Sequence, residues 1–314
     1  MSELVVLSED DVRSVLVLDE LADSLSVALT ALSEGSVSVP ARIAARSPSG
    51  LLGAMPGYVP GLGLAAKLVS VYPDNPQVGA PAHQALIAVF DEATGAPCAV
   101  MGATYITAIR TAMTTALVAR AVARPRSTSL AVIGAGVQAE AHLAAITHLM
   151  VIEDIRIASR HIPDAAVLAE RHTGAVVAAS VQEAVNGADL ICCCTDAGGP
   201  VLDDKWIGPG SHVSSVGSGP ELPAGLLGRA QVFVESRAAT APPPAGAVEL
   251  QGFDPGSLIE VGDVLAGRSG GRADADSVTV FKSTGHASED VAAAAVVLRR
   301  ARLAHAGTTV TMAC

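Results

Sequence analysis

One run of six residues constrains this chain more than any other: Gly134-Ala135-Gly136-Val137-Gln138-Ala139. It follows directly on the apolar segment Ser129–Ile133 and opens a helical pattern from about Val137. After a strand and before a helix, a G-x-G-x-x-A run has a physical reading. Gly134 permits a tight turn, Gly136 lets the backbone approach a pyrophosphate, and Ala139 keeps the helix close to the sheet. The helix N-terminus adds N–H donors and the positive end of its dipole. An ordinary strand–helix turn is the bland alternative, and the surroundings argue against it. Apolar strands at 155–159, 175–178, 189–194, 212–216, 231–235 and 278–282 recur beyond the run. Helical stretches follow Pro163 and Ser180, the latter with Glu183 placed for a capping box. This alternation predicts an α/β fold: a Rossmann doubly wound parallel sheet, covered on both faces, with a dinucleotide at the glycine turn.

The residues ahead of this region read differently. Ser8, three residues before Asp11, starts a short capped helix, and Leu21, Leu25, Leu29 and Leu32 line a second that ends at Gly35. Between 37 and 46 the period is two, with Val37, Val39, Ala41, Ile43 and Ala45 on one side and Ser38, Arg42 and Arg46 on the other. Strands are expected at 64–72 and 84–90, and a helix from Thr107 to about Ala123. A mixed α+β region of about 100 residues results. An alanine-rich helix, 288–306, closes the chain.

The chain has 314 residues, with 20 Lys+Arg against 31 Asp+Glu, a formal net charge of −11. No basic stripe is present to displace counterions, so nucleic acid is not an expected partner. No apolar run approaches the roughly 18 residues of a spanning helix, so neither is a membrane. Half the residues are hydrophobic, which argues against disorder. The five cysteines, three of them adjacent at 192–194, show no metal-ligand spacing. They read as buried hydrophobes in a reducing compartment, and with the acidic start of the chain they point to the cytoplasm.

Two further patterns carry chemistry. At the end of the second strand of a dinucleotide fold, an acid usually receives the ribose 2′-hydroxyl. Here Ser159-Arg160-His161 stands in that place, and an arginine beside a hydroxyl suits a 2′-phosphate. NADPH is therefore favoured over NADH. In the first region three cations lie at the edges of apolar elements: Arg42, Lys67 and Arg110. Lysine is almost never buried unpaired, so Lys67, flanked by apolar residues on both faces, needs an anion or a cleft. Arg110 at the third position of a helix capped by Thr107 would oppose the dipole unless it receives an anion with the free N–H groups. A pocket for a carboxylate accounts for all three. His83, His142, His212 and His286 have no metal spacing, and Asp290 is explained by the dipole of the last helix.

The stretches VPAR (39–42), MPGY (55–58), GLAAKLVSVYPDNP (63–76), FDEATGAPCAVM (90–101), ITAIRTA (106–112), VIGAGVQAEAH (132–142) and GRADADSVTVFKSTGHASEDVAAA (271–294) resemble the ornithine cyclodeaminase/μ-crystallin family over nearly the whole chain. The resemblance implies a homodimer. It implies a substrate-binding and dimerisation domain at 1–118, rejoined by the C-terminal helix at 283–314, with the Rossmann domain at 119–282. It assigns the substrate carboxylate to Arg42, Lys67 and Arg110. It also places the cofactor on Thr111, Gly134, Ala135, Gly136, Val137, Gln138, Ser159, Arg160, His161, Ser283 and Gly285. One departure stands out. Cyclodeaminases carry an aspartate after the strand ending in VG, whereas residues 216–222 here read VGSGPEL, shortened and without it. Glu221 matches a different family residue and is a poor substitute.

The reading is thus an NAD(P)H-dependent reductase of a small α-imino acid, such as a cyclic ketimine, with Lys67, or a water held by it, as the candidate proton donor. Alternatives are an ornithine cyclodeaminase or alanine dehydrogenase using NAD, or an NADPH-binding crystallin-like protein without turnover.

Overall fold

The computed structural model describes residues 2–312. In chain order, β1 (Ser2–Leu7), α1 (Glu9–Val15), α2 (Leu18–Ser33), β2 (Ile43–Ser47), β3 (Gly50–Val59), β4 (Gly63–Val71), β5 (His83–Phe90), β6 (Pro97–Gly102) and α3 (Thr104–Val122) come first. The alternating series follows: β7 (Ser129–Ile133), α4 (Val137–Leu149), β8 (Asp154–Ala158), α5 (Ile162–Glu170), β9 (Ala175–Val177), α6 (Val181–Val185), β10 (Leu190–Cys193), β11 (His212–Ser215), α7 (Ala224–Arg229), β12 (Gln231–Val234), β13 (Ile259–Glu260), α8 (Val261–Leu265) and β14 (Thr279–Lys282). Helix α9 (Ala287–Ala304) and β15 (Thr308–Met312) complete the described chain. No helix among the described residues is long and apolar enough to cross a membrane.

The chain divides into two compact units, one of the residues up to Arg110 with those from His286 onward, the other Thr111–Gly285. The sequence reading drew these limits at 118/119 and 282/283.

The first unit is built on a seven-stranded sheet, ordered β15-β1-β6-β5-β4-β3-β2. Its ladders are antiparallel except β1 with β6. Helices α1, α2 and α9 pack together, and α9 lies on β3 and β4. Odd-numbered residues of β3–β6 face this side and are the buried ones, among them Met55, Val59, Ala65, Ile87 and Met101. Gly57 matters here: a Cβ on it would lie 3.2 Å from Val291 and 3.4 Å from Ala287, so its lack of a side chain lets the first turns of α9 settle on β3. The opposite face is apolar and uncovered, with Ile43, Leu52, Leu86, Val6, Val310 and Met312 all exposed on it.

Two expectations for this unit need correction. Of the period-two stretch at 37–46, only the part from Ile43 pairs as a strand, apart from one bridge between Ser38 and Tyr58. The helix expected from Thr107 begins at Thr104, because the Glu9 carboxylate accepts the N–H groups of Thr104 (2.7 Å) and Tyr105 (3.0 Å). Arg110 consequently sits in the second turn, away from the N–H groups with which it was expected to share an anion.

The second unit holds an eight-stranded parallel sheet, ordered β13-β12-β14-β11-β10-β7-β8-β9. Its central strands are buried on both faces, as a parallel sheet sandwiched by helices requires. The doubly wound architecture read from the alternation is the one observed.

Candidate active site

In the first unit the ladder sets Met55 opposite Lys67 and Lys67 opposite Ile87, so an ammonium occupies a row otherwise filled by buried apolar side chains. Lys67 is 3% exposed. Its Nζ lies 3.0 Å from Oδ1 and 2.8 Å from Oδ2 of Asp290, in the first turn of α9. Arg110, 4% exposed, donates from Nε to the same Oδ1 at 3.0 Å and from Nη1 to Glu289 Oε2 at 2.5 Å. Glu289 also accepts the His286 N–H, closing a capping box on α9. Two cations and two carboxylates thus share one buried site.

The electrostatics follow from this packing. Burial lowers the Lys67 ammonium to about 8, with Asp290 opposing the drop and Arg110 adding to it. Burial pushes the Asp290 carboxyl up, but Lys67 and Arg110 outweigh it and hold the group below its ordinary value. At neutral pH the pair is ionised. Arg42, half-buried, precedes β2. It lies outside the paired residues of that strand, which begin at Ile43 opposite Ala54.

In the second unit β7 is followed by Gly134, whose φ of +116° belongs to glycine. A Cβ there would also fall 2.5 Å from the Cys194 carbonyl oxygen. Gly136 is the N-cap of α4, and no side chain caps that end. A Cβ on Gly136 would meet nothing within 4 Å, so open space lies over an uncapped helix N-terminus. That is the cradle a pyrophosphate fits. Ala135 and Gln138 are half-buried, Val137 is exposed, and Ser159, Arg160 and His161 lie together beyond β8 with Arg160 91% exposed. Thr111 is buried on α3.

The sequence profile of the Ornithine cyclodeaminase/mu-crystallin family matches residues 2–304. Mouse (Mus musculus) ketimine reductase mu-crystallin is 37% identical over 272 residues, 84% of this chain and 85% of that protein. Among solved structures, Thermococcus litoralis Delta(1)-pyrroline-2-carboxylate reductase in complex with NADH and L-proline superposes with a TM-score of 0.92 at 30% identity, covering 97% of this chain and 99% of the other. An archaeal alanine dehydrogenase dimer with bound NAD gives 0.88 at 28% identity, covering 99% of both. The chain belongs to the ornithine cyclodeaminase/μ-crystallin family.

Within this family fold, acidic residues that the sequence reading set aside or passed over organise the site. Glu221 is fully buried and accepts four hydrogen bonds: from the Thr195 N–H and hydroxyl, both 2.7 Å, the Ser215 hydroxyl, 2.7 Å, and the Gly217 N–H, 2.8 Å. It ties together the segments leaving β10 and β11 at the carboxyl edge of the sheet. Fully engaged, it has no capacity left for the acid–base role of the missing aspartate. Lys282 donates to Ser215 (3.0 Å) and the Gly217 carbonyl (2.8 Å) and pairs with Glu249 at 2.9 Å. Glu235, after β12, accepts from Ser283 (2.5 Å), Thr284 (3.2 Å) and Gly285 (3.2 Å), and so shapes the segment of the two cofactor candidates Ser283 and Gly285. In the first unit the omission was Glu289. The available signal was an acidic pair opening a helix whose next residues, Val291, Ala292, Ala293 and Ala294, are all apolar.

Proposed function

We propose that this protein is an NAD(P)H-dependent reductase of a small α-imino acid, a cyclic ketimine such as pyrroline- or piperideine-2-carboxylate. The observation that carries the reading is the buried union of Lys67 and Arg110 on Asp290 in a family whose members include the relatives above. Directed N–H donors in a dry site bind a carboxylate far better than the same groups in water. Arg42, Lys67 and Arg110 would hold the substrate carboxylate, with Lys67 also within reach of the imine nitrogen. Thr111, Ser283, Gly285 and the turn at Gly134–Gln138 would hold the dinucleotide. When bound, it supplies a hydride to the imine carbon. The chain supplies the rest: it fixes the carboxylate, excludes water, and delivers a proton from Lys67 Nζ to the nitrogen.

Ser159, Arg160 and His161 support NADPH over NADH, since an exposed guanidinium suits a 2′-phosphate. A homodimer is supported by the uncovered apolar face of the first sheet, of a kind that a second copy would bury. A cytoplasmic setting suits the free thiols of Cys98, Cys192, Cys193 and Cys194. Cyclodeaminase chemistry is disfavoured by residues 216–222 and by the engagement of Glu221.

The test is consumption of NADPH and NADH, followed by absorbance, with pyrroline-2-carboxylate, piperideine-2-carboxylate and pyruvate plus amines in parallel. Oxidation of NADPH by a cyclic imine is expected. Ammonia release from ornithine with catalytic NAD, or tight NADPH binding with no oxidation by any imine, would replace this reading.

A further inference from the structure

Lys67 meets no polar side chain across its own sheet, because its neighbours on β3 and β5 are Met55 and Ile87. Among the described residues, the charged groups that act on it most strongly come from two helices: Asp290 and Glu289 from α9, and Arg110 from α3. Of these only Asp290 touches the ammonium, with both oxygens, and it is itself 2% exposed. Glu289 reaches the cluster through Arg110. An ammonium buried among Met55, Ile87 and the Arg110 guanidinium would shed its proton without a carboxylate against it. Gly57 enforces the arrangement, since the close seat of α9 on β3 brings the first helical turn down onto Lys67.

We propose that Asp290 is the positioning residue for proton delivery: it pins the Lys67 ammonium from α9 and holds it charged, so that Lys67 carries the proton that the imine nitrogen receives. This rests on the reductase reading above. In the step, an N–H bond of Lys67 breaks and one forms at the imine nitrogen, while the hydride from the reduced dinucleotide forms the new C–H bond. Neutral Lys67 then recovers a proton from water. Asp290 stays a carboxylate throughout and acts through Lys67 Nζ, without touching the substrate.

The experiment follows the side-chain nitrogens of the full-length protein, labelled with ¹⁵N-lysine, through an NMR pH titration, beside the pH profile of kcat/KM for imine reduction. In the wild type one resonance, absent from Lys67→Met, should titrate near about 8. The alkaline limb of kcat/KM should fall at the same pH. Asp290→Asn should move both down together by about one pH unit or more, and Asp290→Glu should restore most of the shift. A limb that stays in place while Asp290→Asn lowers activity uniformly at all pH values overturns the proposal, because it leaves Asp290 a merely structural role. If Asp290→Asn does not fold, the wild type and Asp290→Glu decide. A Lys67 resonance titrating at the ordinary lysine value of 10.5, or one already neutral at pH 7, also overturns it. Should the wild type reduce no imine at all, the reductase reading fails, while the titration still decides whether Asp290 holds the charge on Lys67.

Discussion

In the first unit the candidate site is a cluster of side-chain ions. Lys67 comes from a strand, Arg110 from a helix and the Glu289–Asp290 pair from the other end of the chain, all buried as ions that neutralise one another. In the second unit the candidate anion site is made of backbone, where Gly134 turns the chain and Gly136 leaves a helix end uncapped. The titratable rings near its core are buried neutral. His142 Nδ1 donates to the Gln138 carbonyl at 2.7 Å and Nε2 accepts from Thr115 at 3.0 Å, while His212 lies between Thr279 (2.9 Å) and Ser214 (3.0 Å). A backbone site needs one short contiguous segment. The side-chain site depends on four residues spread across the chain, and each is stranded if another is lost.

The sharpest way to break this contrast is Arg110→Ala. It leaves Glu289 and Asp290 buried with one cation instead of two, at a cost of about 3–5 kcal/mol in folding stability. If Arg110 anchors the substrate carboxylate as proposed, kcat/KM for imine reduction should fall about 100-fold or more, mainly through KM. Denaturant melts and steady-state kinetics measure the two effects. Unchanged imine reduction would remove the carboxylate clamp.

The neutral histidines give the next largest effect. Burial lowers His142 to about 4 and His212 to about 3, so neither takes a proton in the fold near pH 6. The unfolded chain does so below the ordinary value of 6.5. Their stabilising contribution is therefore complete above pH 6.5 and declines as pH falls toward those lowered values. Each ring contributes a slope of about 1.4 kcal/mol per pH unit in that window. Chemical denaturation between pH 7 and pH 4 should show the decline, and His142→Gln should lose its share of the slope. A pH-independent wild-type stability over that range would show that the rings are not held neutral.

Smallest is the effect expected at the exposed Arg160. Arg160→Ala should raise the NADPH dissociation constant about tenfold and leave NADH nearly unchanged. Equal losses for both cofactors, read by nicotinamide fluorescence, would mean that Arg160 does not meet a 2′-phosphate.

The same contrast explains what the sequence discloses. Strand β7, the Gly134–Ala139 turn and α4 are local, since each residue's role follows from its immediate neighbours, and the structure has them where the pattern puts them. Lys67 and Arg110 could be singled out because a cation among apolar residues is conspicuous without knowing its partner. Their partners could not, because Glu289 and Asp290 have an adequate local explanation at the start of a helix. The start of α3 was misplaced for the same reason: its cap is Glu9, which lies 95 residues before Thr104. Strand β15 was missed altogether, being held by pairing with β1 at the other end of the chain.

The cysteine triplet makes the second unit its own reporter. Burial pushes the thiols of Cys192, Cys193 and Cys194 far toward the unreactive form, the first to about 12. Alkylation at these positions can then proceed only when the middle of the parallel sheet comes apart. Because the Cys194 carbonyl sits against Gly134, the labelling rate reads the opening of the glycine turn itself. A dinucleotide bound there should slow that clock in proportion to its occupancy, giving a measure of cofactor grip that requires no turnover.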